Sequence, residues 1–388
     1  MQKKIGEIHD LSRENVSREI KMKRCSKCML PENYPGIVFN KDGICNYCVG
    51  HTGREYGGVD ALKRDIEAAL EKKQKERSKE YDCMICFSGG RDSSFLLHYF
   101  KKVLNLRVLA YSVDNGFIPE QTKMNMKNIT EMLNVKLVIE KHQNLERCLK
   151  HHISAWIKRP SAAMIGLLCT GCKYSMVSRI KKFAEKKKIP VVILGETPFE
   201  TEGHYKRNLM KINPNSGDNS AIDRSFIAGY LNRVLRNPRW VLKPYALMMQ
   251  FAEYFFYFRK NVLGAGDFFP FFPFMNYIRW EEKKVTAILT KELDWKQNPD
   301  VEMNWRGDCQ IAILKLYLYK KILGFNDTDE GLSCLIRDKQ ITRQEAMERL
   351  EKEGNIPEGA VKEIFKDLGL SYPELEKTLD SLSFNPGS

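Results

Sequence analysis

One stretch, Cys86-Phe-Ser-Gly-Gly-Arg-Asp-Ser-Ser94, constrains the fold of this chain more than any other. It joins an apolar run, Asp82 to Phe87, to a segment with helical spacing, Ser94–Lys102. Gly89 and Gly90 allow a tight turn that brings backbone N–H groups close to an anion. Ser88, Ser93 and Ser94 add hydroxyl donors, and the start of the helix adds the positive end of its dipole. The Gly-Lys-Ser/Thr ending of a Walker P-loop is missing. Asp92 would repel a phosphate unless a cation intervened, which assigns it to Mg²⁺. Arg91 and Lys173 are candidate cations for charge developing on phosphate.

The sequence after this loop alternates strand and helix. Strand runs are read at Arg107–Val113, Val135–Glu140 and Pro190–Leu194, with helices between them reaching about Leu133 and covering Tyr174–Lys187. That alternation predicts an α/β fold, a parallel sheet covered by helices on both faces. Ligands bind at the carboxyl ends of such strands, which marks Gly195 and Glu196 as site residues.

The cysteines fall into two sets. Cys25-Ser-Lys-Cys28 and Cys45-Asn-Tyr-Cys48 read as two knuckles on a short hairpin, a closed tetrahedral Zn²⁺ site with a structural role. Cys169-Thr-Gly-Cys172 lies inside the sheet domain, and Cys309 lies far along the chain. Three thiolates there suit an iron–sulfur cluster with one open iron or a second metal; the competing reading is buried small hydrophobes. Cys83 and Cys86 belong to the core strand.

Charge narrows the class of partner. With 63 Lys and Arg against 49 Asp and Glu, the net charge is +14, which favours nucleotides, nucleic acid or an acidic membrane face. Ordinary globular composition, 43% hydrophobic, excludes wholesale disorder. The start of the chain shows no apolar signal region and no run is long enough to span a bilayer, so a cytoplasmic location with reduced thiols is expected. The nearest such run, Tyr245–Phe258, is interrupted by Gln250 and Glu253; with its basic flanks it reads as a lid or core helix, or as a peripheral membrane contact. Asp267-Phe-Phe-Pro-Phe-Phe-Pro is read as loop packing or a cleft wall. Asn326-Asp-Thr-Asp-Glu and Thr342-Arg-Gln-Glu read as helix starts.

Ser88-Gly-Gly-Arg-Asp-Ser93 resembles the PP-loop of the ATP pyrophosphatase (adenine nucleotide alpha-hydrolase) superfamily. The resemblance implies that Ser88 to Ser94 hold ATP and that Asp114, in Tyr111-Ser-Val-Asp-Asn-Gly, lies near the nucleotide. It also implies that adenylation turns a carbonyl or amide oxygen into a leaving group. The Cys25–Cys48 module, Asp308-Cys-Gln, Tyr319–Phe325 and Ile336–Ala346 are similar to the N-acetyl sugar amidotransferases of surface-polysaccharide (lipopolysaccharide) biosynthesis. That likeness implies ammonia replacing an activated acetamido oxygen on an N-acetyl sugar or sugar nucleotide, with ammonia from a partner glutaminase. The rival is sulfur transfer to tRNA or a small molecule, since some PP-loop thiolases carry a 4Fe–4S cluster on a Cys-x-x-Cys plus one distant cysteine. In that reading Cys169, Cys172 and Cys309 are catalytic alongside Asp92. A third reading is a non-catalytic zinc-ribbon adaptor. The expected organisation is an arm at 1–23, a four-cysteine zinc ribbon at 24–58 and a linker helix at 59–80. A PP-loop ATP-binding domain at 81–211, an aromatic and basic insertion at 212–265 and a mainly helical region at 266–388 follow.

Overall fold

The computed structural model describes residues 22–72, 78–197, 205–211, 224–261, 271–299 and 307–382, together with Phe199 and Val301. Most of the expected N-terminal arm, the stretch 73–77 of the linker helix, His204 and the loop at 212–220 lie outside these residues.

Four strands form one parallel sheet: β1 (Cys83–Cys86), β2 (Val108–Asp114), β3 (Lys136–Lys141) and β4 (Val191–Leu194). Their order is β3-β2-β1-β4. Cys86 pairs with Tyr111 on one side and with Leu194 on the other, so β1 and β4 end level and β2 runs on to Asp114. β1 reads Cys-Met-Ile-Cys and every residue in it is buried, the unbroken apolar run expected of a strand covered on both faces. Alternate residues face opposite ways. Met84, Cys86, Leu109, Tyr111 and Val192 pack with Ile180 and Ala184 on one face. Cys83, Ile85, Ala110 and Ile193 join the main core on the other. The winding runs from β1 outward to β3 and then returns to place β4 on the far side of β1. At such a reversal the loops after the two central strands part and leave a crevice.

The helices follow in chain order. α1 (Gly58–Lys72) covers the described part of the expected linker helix that precedes residue 73. α2 (Arg91–His98) begins inside the Gly-rich loop, three residues earlier than the periodicity indicates, and passes into a π-helical turn, Tyr99–Val103. α3 (Glu120–Met132) and α4 (Gln143–Lys158) flank β3, and α5 (Cys172–Lys187) precedes β4. The insertion is helical where described: α6 (Arg224–Arg236), a 3-10 turn at Pro238–Val241, and α7 (Pro244–Asn261). α8 (Glu282–Glu292) then packs on α2.

The C-terminal part is helical throughout: α9 (Gln310–Leu323), α10 (Asp327–Arg337), α11 (Arg343–Glu353), α12 (Glu358–Leu368) and α13 (Tyr372–Ser381). α9 is apolar on almost every side and is buried along most of its length, as a central helix must be. α10 opens with a reciprocal capping box in which Asn326 and Asp329 satisfy each other's backbone N–H groups. At α11 only half the expected box forms: the Thr342 hydroxyl accepts from the Glu345 N–H at 3.1 Å.

Two buried polar contacts hold the N-terminal module on this helical part. Arg24 pairs with Asp329 at 2.7 Å, and the Tyr34 hydroxyl bonds Glu330. Of the segment read as loop packing or a cleft wall, the described residues pack on the sheet. Phe271 packs on the sheet, and the Phe272 N–H donates to the Val192 carbonyl at 2.8 Å, extending the β4 edge.

Candidate functional site: a phosphate-loop cavity and two cysteine sets

A cavity of about 340 Å³ opens at the carboxyl ends of β1, β2 and β4. Cys86 to Ser93 form its floor, Tyr111 to Val113 and Asn115 one side, and Leu194 to Glu196 the other. Gly89 has φ +77°, a conformation that a side chain resists. A Cβ there would also lie 2.5 Å from Met126 Cγ and 2.9 Å from the Thr122 carbonyl. At Gly90 a Cβ would meet Asp308 Oδ2 at 3.0 Å. Gly89 is therefore required by conformation and close approach, and Gly90 leaves Asp308 room beside the loop. The Ser93 hydroxyl lies 3.1 Å from that of Ser88 and accepts from the Ser88 N–H at 3.2 Å, while the Ser94 hydroxyl donates to the Gly90 carbonyl at 2.8 Å. The serine hydroxyls brace the turn by accepting the Ser88 and Gly90 N–H groups, and the start of α2 is left for an anion. Gly195 brings β4 against this turn, since a Cβ on it would sit 3.2 Å from Ser93 Cα.

Asp92 lines the cavity with one carboxylate oxygen accepting from the Trp280 indole N–H at 2.9 Å. Burial pushes its carboxyl above the usual range of 3.8, Arg91 and Trp280 pull the other way, and Asp308 adds to the rise. Asp308 thus supplies a second carboxylate beside the loop. Sequence reading treats it only as part of a family-like stretch, because its distance from the loop along the chain, 308 against 92, hides the contact. Two carboxylates next to a phosphate loop suit a hard divalent cation bound through oxygens.

Two expected ligand positions differ from the sequence reading. The guanidinium of Arg91 is buried, pairing with Glu282 at 2.9 Å and lying 4.6 Å from the Trp280 ring. Glu282 is bonded in turn by Arg349 at 2.7 Å. The side chain of Arg91 fastens α2 to α8 and α11, and the loop receives its backbone. Asp114 is not among the lining residues. Its carboxylate accepts the Gly116 N–H at 2.8 Å and shapes the turn, while Asn115 faces the cavity. Lys173 pairs with Glu196 at 2.7 Å at an exposed position.

Cys169, Cys172 and Cys309 all line this same cavity. Lys315 donates to Cys169 Sγ at 3.1 Å, and Asn115 Nδ2 lies 3.6 Å from Cys309 Sγ. Burial pushes the Cys309 thiol up, partly offset by backbone N–H groups at the start of α9. Cys172 opens α5 and Cys309 caps α9, so three helix N-termini, those of α2, α5 and α9, converge on one space. Their summed dipoles favour anionic occupants. The three sulfurs do not form a single-ion site among the described residues.

The other cysteines do. Cys25, Cys28, Cys45 and Cys48 are buried, with one ligand atom each within 4.8 Å of the rest. Cys25–Cys48 and Cys28–Cys45 sulfur separations are 3.9 and 3.7 Å. Tetrahedral ligands at the ordinary zinc–sulfur distance lie about 3.8 Å apart. Hydrogen bonding from Cys45 and Cys48 draws the Cys28 thiol down to about 2. The same sharing with Cys28 pushes Cys45 up to about 12. Shared hydrogen bonding thus pulls neighbouring thiols in opposite directions, and thiolates gathered this closely suit a bound cation. This is a four-cysteine metal site.

The site thus combines an α/β parallel sheet with a Gly-rich anion loop at the reversal of its winding, a four-cysteine metal site ahead of it and a helical part behind it. Residues 312–384 match the family model described as LPS biosynthesis protein WbpG-like, C-terminal domain. The match begins in α9, two turns of which wall the cavity. An uncharacterized protein of Methanocaldococcus jannaschii is 28% identical over 192 residues, 48% of this chain and 63% of that relative, so the chain spans less than two thirds of the relative's length. Among solved structures, the NH3-dependent NAD synthetase from Campylobacter jejuni in complex with the nitrate ion covers 52% of this chain and 96% of its own, at 16% identity and a TM-score of 0.28. The U34-tRNA thiolase NcsA from Methanococcus maripaludis with its 4Fe–4S cluster covers 85% and 88%, at 12% identity and a TM-score of 0.30. No helix among the described residues is long and apolar enough to cross a membrane.

Proposed function

We propose that the protein is an ATP-dependent amidotransferase of surface-polysaccharide biosynthesis. The acetamido oxygen of an N-acetyl sugar nucleotide attacks the α-phosphorus of ATP, pyrophosphate leaves, and an adenylated imidate forms. Ammonia from a partner glutaminase then adds to the imidate carbon, and AMP departs with the former amide oxygen to leave an amidine. The loop from Ser88 to Ser94 holds the phosphates at the start of α2. Asp92 and Asp308 are the residues that would hold Mg²⁺, which would supply charge neutralisation at the phosphates. Zn²⁺ at Cys25, Cys28, Cys45 and Cys48 is structural, because a closed four-sulfur site offers substrate no position.

The observation that carries this reading is that the loop and α9 wall one cavity. The anion loop and the helix where the LPS-biosynthesis match begins face the same reacting volume. The polar wall of Asn115, Asn125, Gln297 and Asn298 suits sugar hydroxyls, and the other two helix N-termini suit the diphosphate of a sugar nucleotide. The test is AMP release by the full chain with ATP, Mg²⁺, ammonium and a panel of UDP-linked N-acetyl sugars, with the product weighed for NH in place of O. Cleavage of ATP between the β and γ phosphates overturns it.

Sulfur transfer is the second reading, favoured by one observation, the lining of this cavity by Cys169, Cys172 and Cys309. Under it the three thiolates hold an iron–sulfur cluster and tRNA or a small molecule is the acceptor. A brown anaerobic preparation that thiolates tRNA decides for it, and a colourless one that forms amidine decides against it.

A further inference from the structure

The insertion carries a surface that neither the cavity nor the metal site uses. Thirteen large hydrophobic side chains are exposed among the described residues, and six of them fall between residues 231 and 251. Leu231 and Leu235 lie one turn apart on α6, Leu242 follows the 3-10 turn, and Leu247, Met248 and Phe251 share one side of α7. All are more than half exposed, Leu235 at 79%. The opposite sides of the same helices are already packed: Phe226 and Tyr230 on α6, and Ala246, Met249 and Gln250 on α7, are buried. Burial in the fold therefore does not account for the outer apolar set. Between Ser225 and Ala252 every charged residue is basic, and Arg236, Arg239 and Lys243 are exposed among the leucines.

We infer that this face docks on an anionic lipid bilayer surface. Apolar side chains enter the acyl boundary while the cations meet lipid phosphates, the two contributions an interfacial helix needs. A second copy of the chain is disfavoured as occupant, because a two-fold contact through this face would set Arg236, Arg239 and Lys243 against themselves. Nucleic acid is disfavoured because five of the six side chains are aliphatic Leu or Met, which offer bases neither stacking nor hydrogen bonds, and Phe251 is a lone ring. Docking here would bring the cavity to the membrane surface, since α7 packs on α4 and α5, and Met249 of α7 closes over Gly171 beside Cys172.

The experiment is sedimentation of the full chain with vesicles of phosphatidylcholine alone or mixed with phosphatidylglycerol. Three exposed cations give a preference for the anionic vesicles of roughly 100-fold, which falls with added salt. The triple variant L242Q/L247Q/M248Q lowers partitioning about tenfold, because three exposed apolar contacts with the bilayer are lost. The variant R236Q/R239Q/K243Q removes the preference for the anionic vesicles. Unchanged unfolding midpoints for both sets attribute these losses to the surface. The inference is overturned by absence of binding to the anionic vesicles, or by apolar variants that bind as the parent does. It is overturned equally if the leucine changes instead shift a monomer–dimer equilibrium in sedimentation velocity, or if tRNA binds this face and is lost with the cation changes.

Discussion

The two cysteine sets use the same Cys-x-x-Cys spacing and arrive at opposite designs. In the N-terminal module four sulfurs converge to metal-ligand distance and are sealed from solvent, with Cys25, Cys28 and Cys45 fully buried. In the sheet domain Cys169, Cys172 and Cys309 stand around an open cavity, half-buried, each beside a helix start and with Lys315 on one of them. The backbone makes the difference. A hairpin returns the second knuckle onto the first, through the Phe39–Cys45 bridge and the Ser26 N–H on the Gly43 carbonyl. Cys169-Thr-Gly-Cys172 runs straight into α5, and its distant companion arrives on another helix. Spacing alone specifies a knuckle; what closes it is the partner that the fold supplies.

The sharpest way to break the comparison is to make one substitution in each set, and the larger effect belongs to the closed one. Cys28→Ser removes a ligand from a site whose metal contributes roughly 10 kcal/mol or more to folding. The module also holds Asp329 and Glu330 of α10, buried groups that lose Arg24 and Tyr34 if it opens. The expected result is metal content well below one equivalent and an unfolding midpoint lower by at least roughly 8 °C. Metal analysis and calorimetry check it, and a full equivalent of metal at an unchanged midpoint dissolves the distinction.

A second test strikes the support of the open site. Glu282 is buried between Arg91 and Arg349, and burial alone would raise its carboxyl above 4.5. Bonding from Arg349 and the charge of Arg91 outweigh burial and hold it below that value. A carboxyl depressed in the folded state contributes stability that is present above its unfolded value and is lost as pH falls through the folded one. The parent should therefore lose stability on acidification below pH 4.5, and Arg349→Met should both flatten that loss and cost about 2–4 kcal/mol at neutral pH. Denaturant midpoints at several pH values measure both effects. Equal acid slopes for parent and variant would detach Glu282 from the network.

Cys172→Ser is the counterpart in the open set. Metal content in the N-terminal module stays at one equivalent, and the midpoint moves by about 2 °C or less if these thiols hold no cluster. Turnover falls at least roughly tenfold if the thiol takes part in the chemistry. Unchanged turnover removes Cys172 from the mechanism and leaves it as cavity wall.

What could be read in advance follows the same division between local and distant contacts. The loop at Ser88, the strand alternation and the two N-terminal knuckles are encoded within short windows, and the sheet and the four-sulfur cluster appear where those windows put them. The pairing of Arg91 with Glu282 could not be read in advance, because Glu282 lies in another helix and no local pattern reveals the contact. Asp114 looks like a strand-end ligand, yet the positive φ of Gly116 turns the chain so that its carboxylate caps that turn and Asn115 enters the cavity. Asp308 and Lys315 reach the site only because α9 is threaded through the centre of the molecule. Helical periodicity says that α9 is buried but not which cavity its first turns face.

The smallest expected effect lies at the rim. Lys173 is the residue after Cys172, and its position suggests a cation for the transferred phosphoryl group. Its ammonium pairs with Glu196 at 2.7 Å, with both side chains more than a third exposed. Such pairs contribute about 0–1 kcal/mol, because solvent screens the attraction and two long side chains lose freedom. Lys173→Ala should therefore change stability by less than about 0.5 kcal/mol, and it releases Glu196, a lining residue, to solvent. If the pair only trims the rim, kcat stays within about twofold and KM for ATP shifts by a similar factor. If Lys173 swings inward when triphosphate enters, kcat and kcat/KM fall together by more than tenfold, and Lys173→Arg restores part of the loss. That outcome would make the cavity mouth a moving part and would set the exposed rim, rather than the buried Arg91, as the source of positive charge on the phosphates.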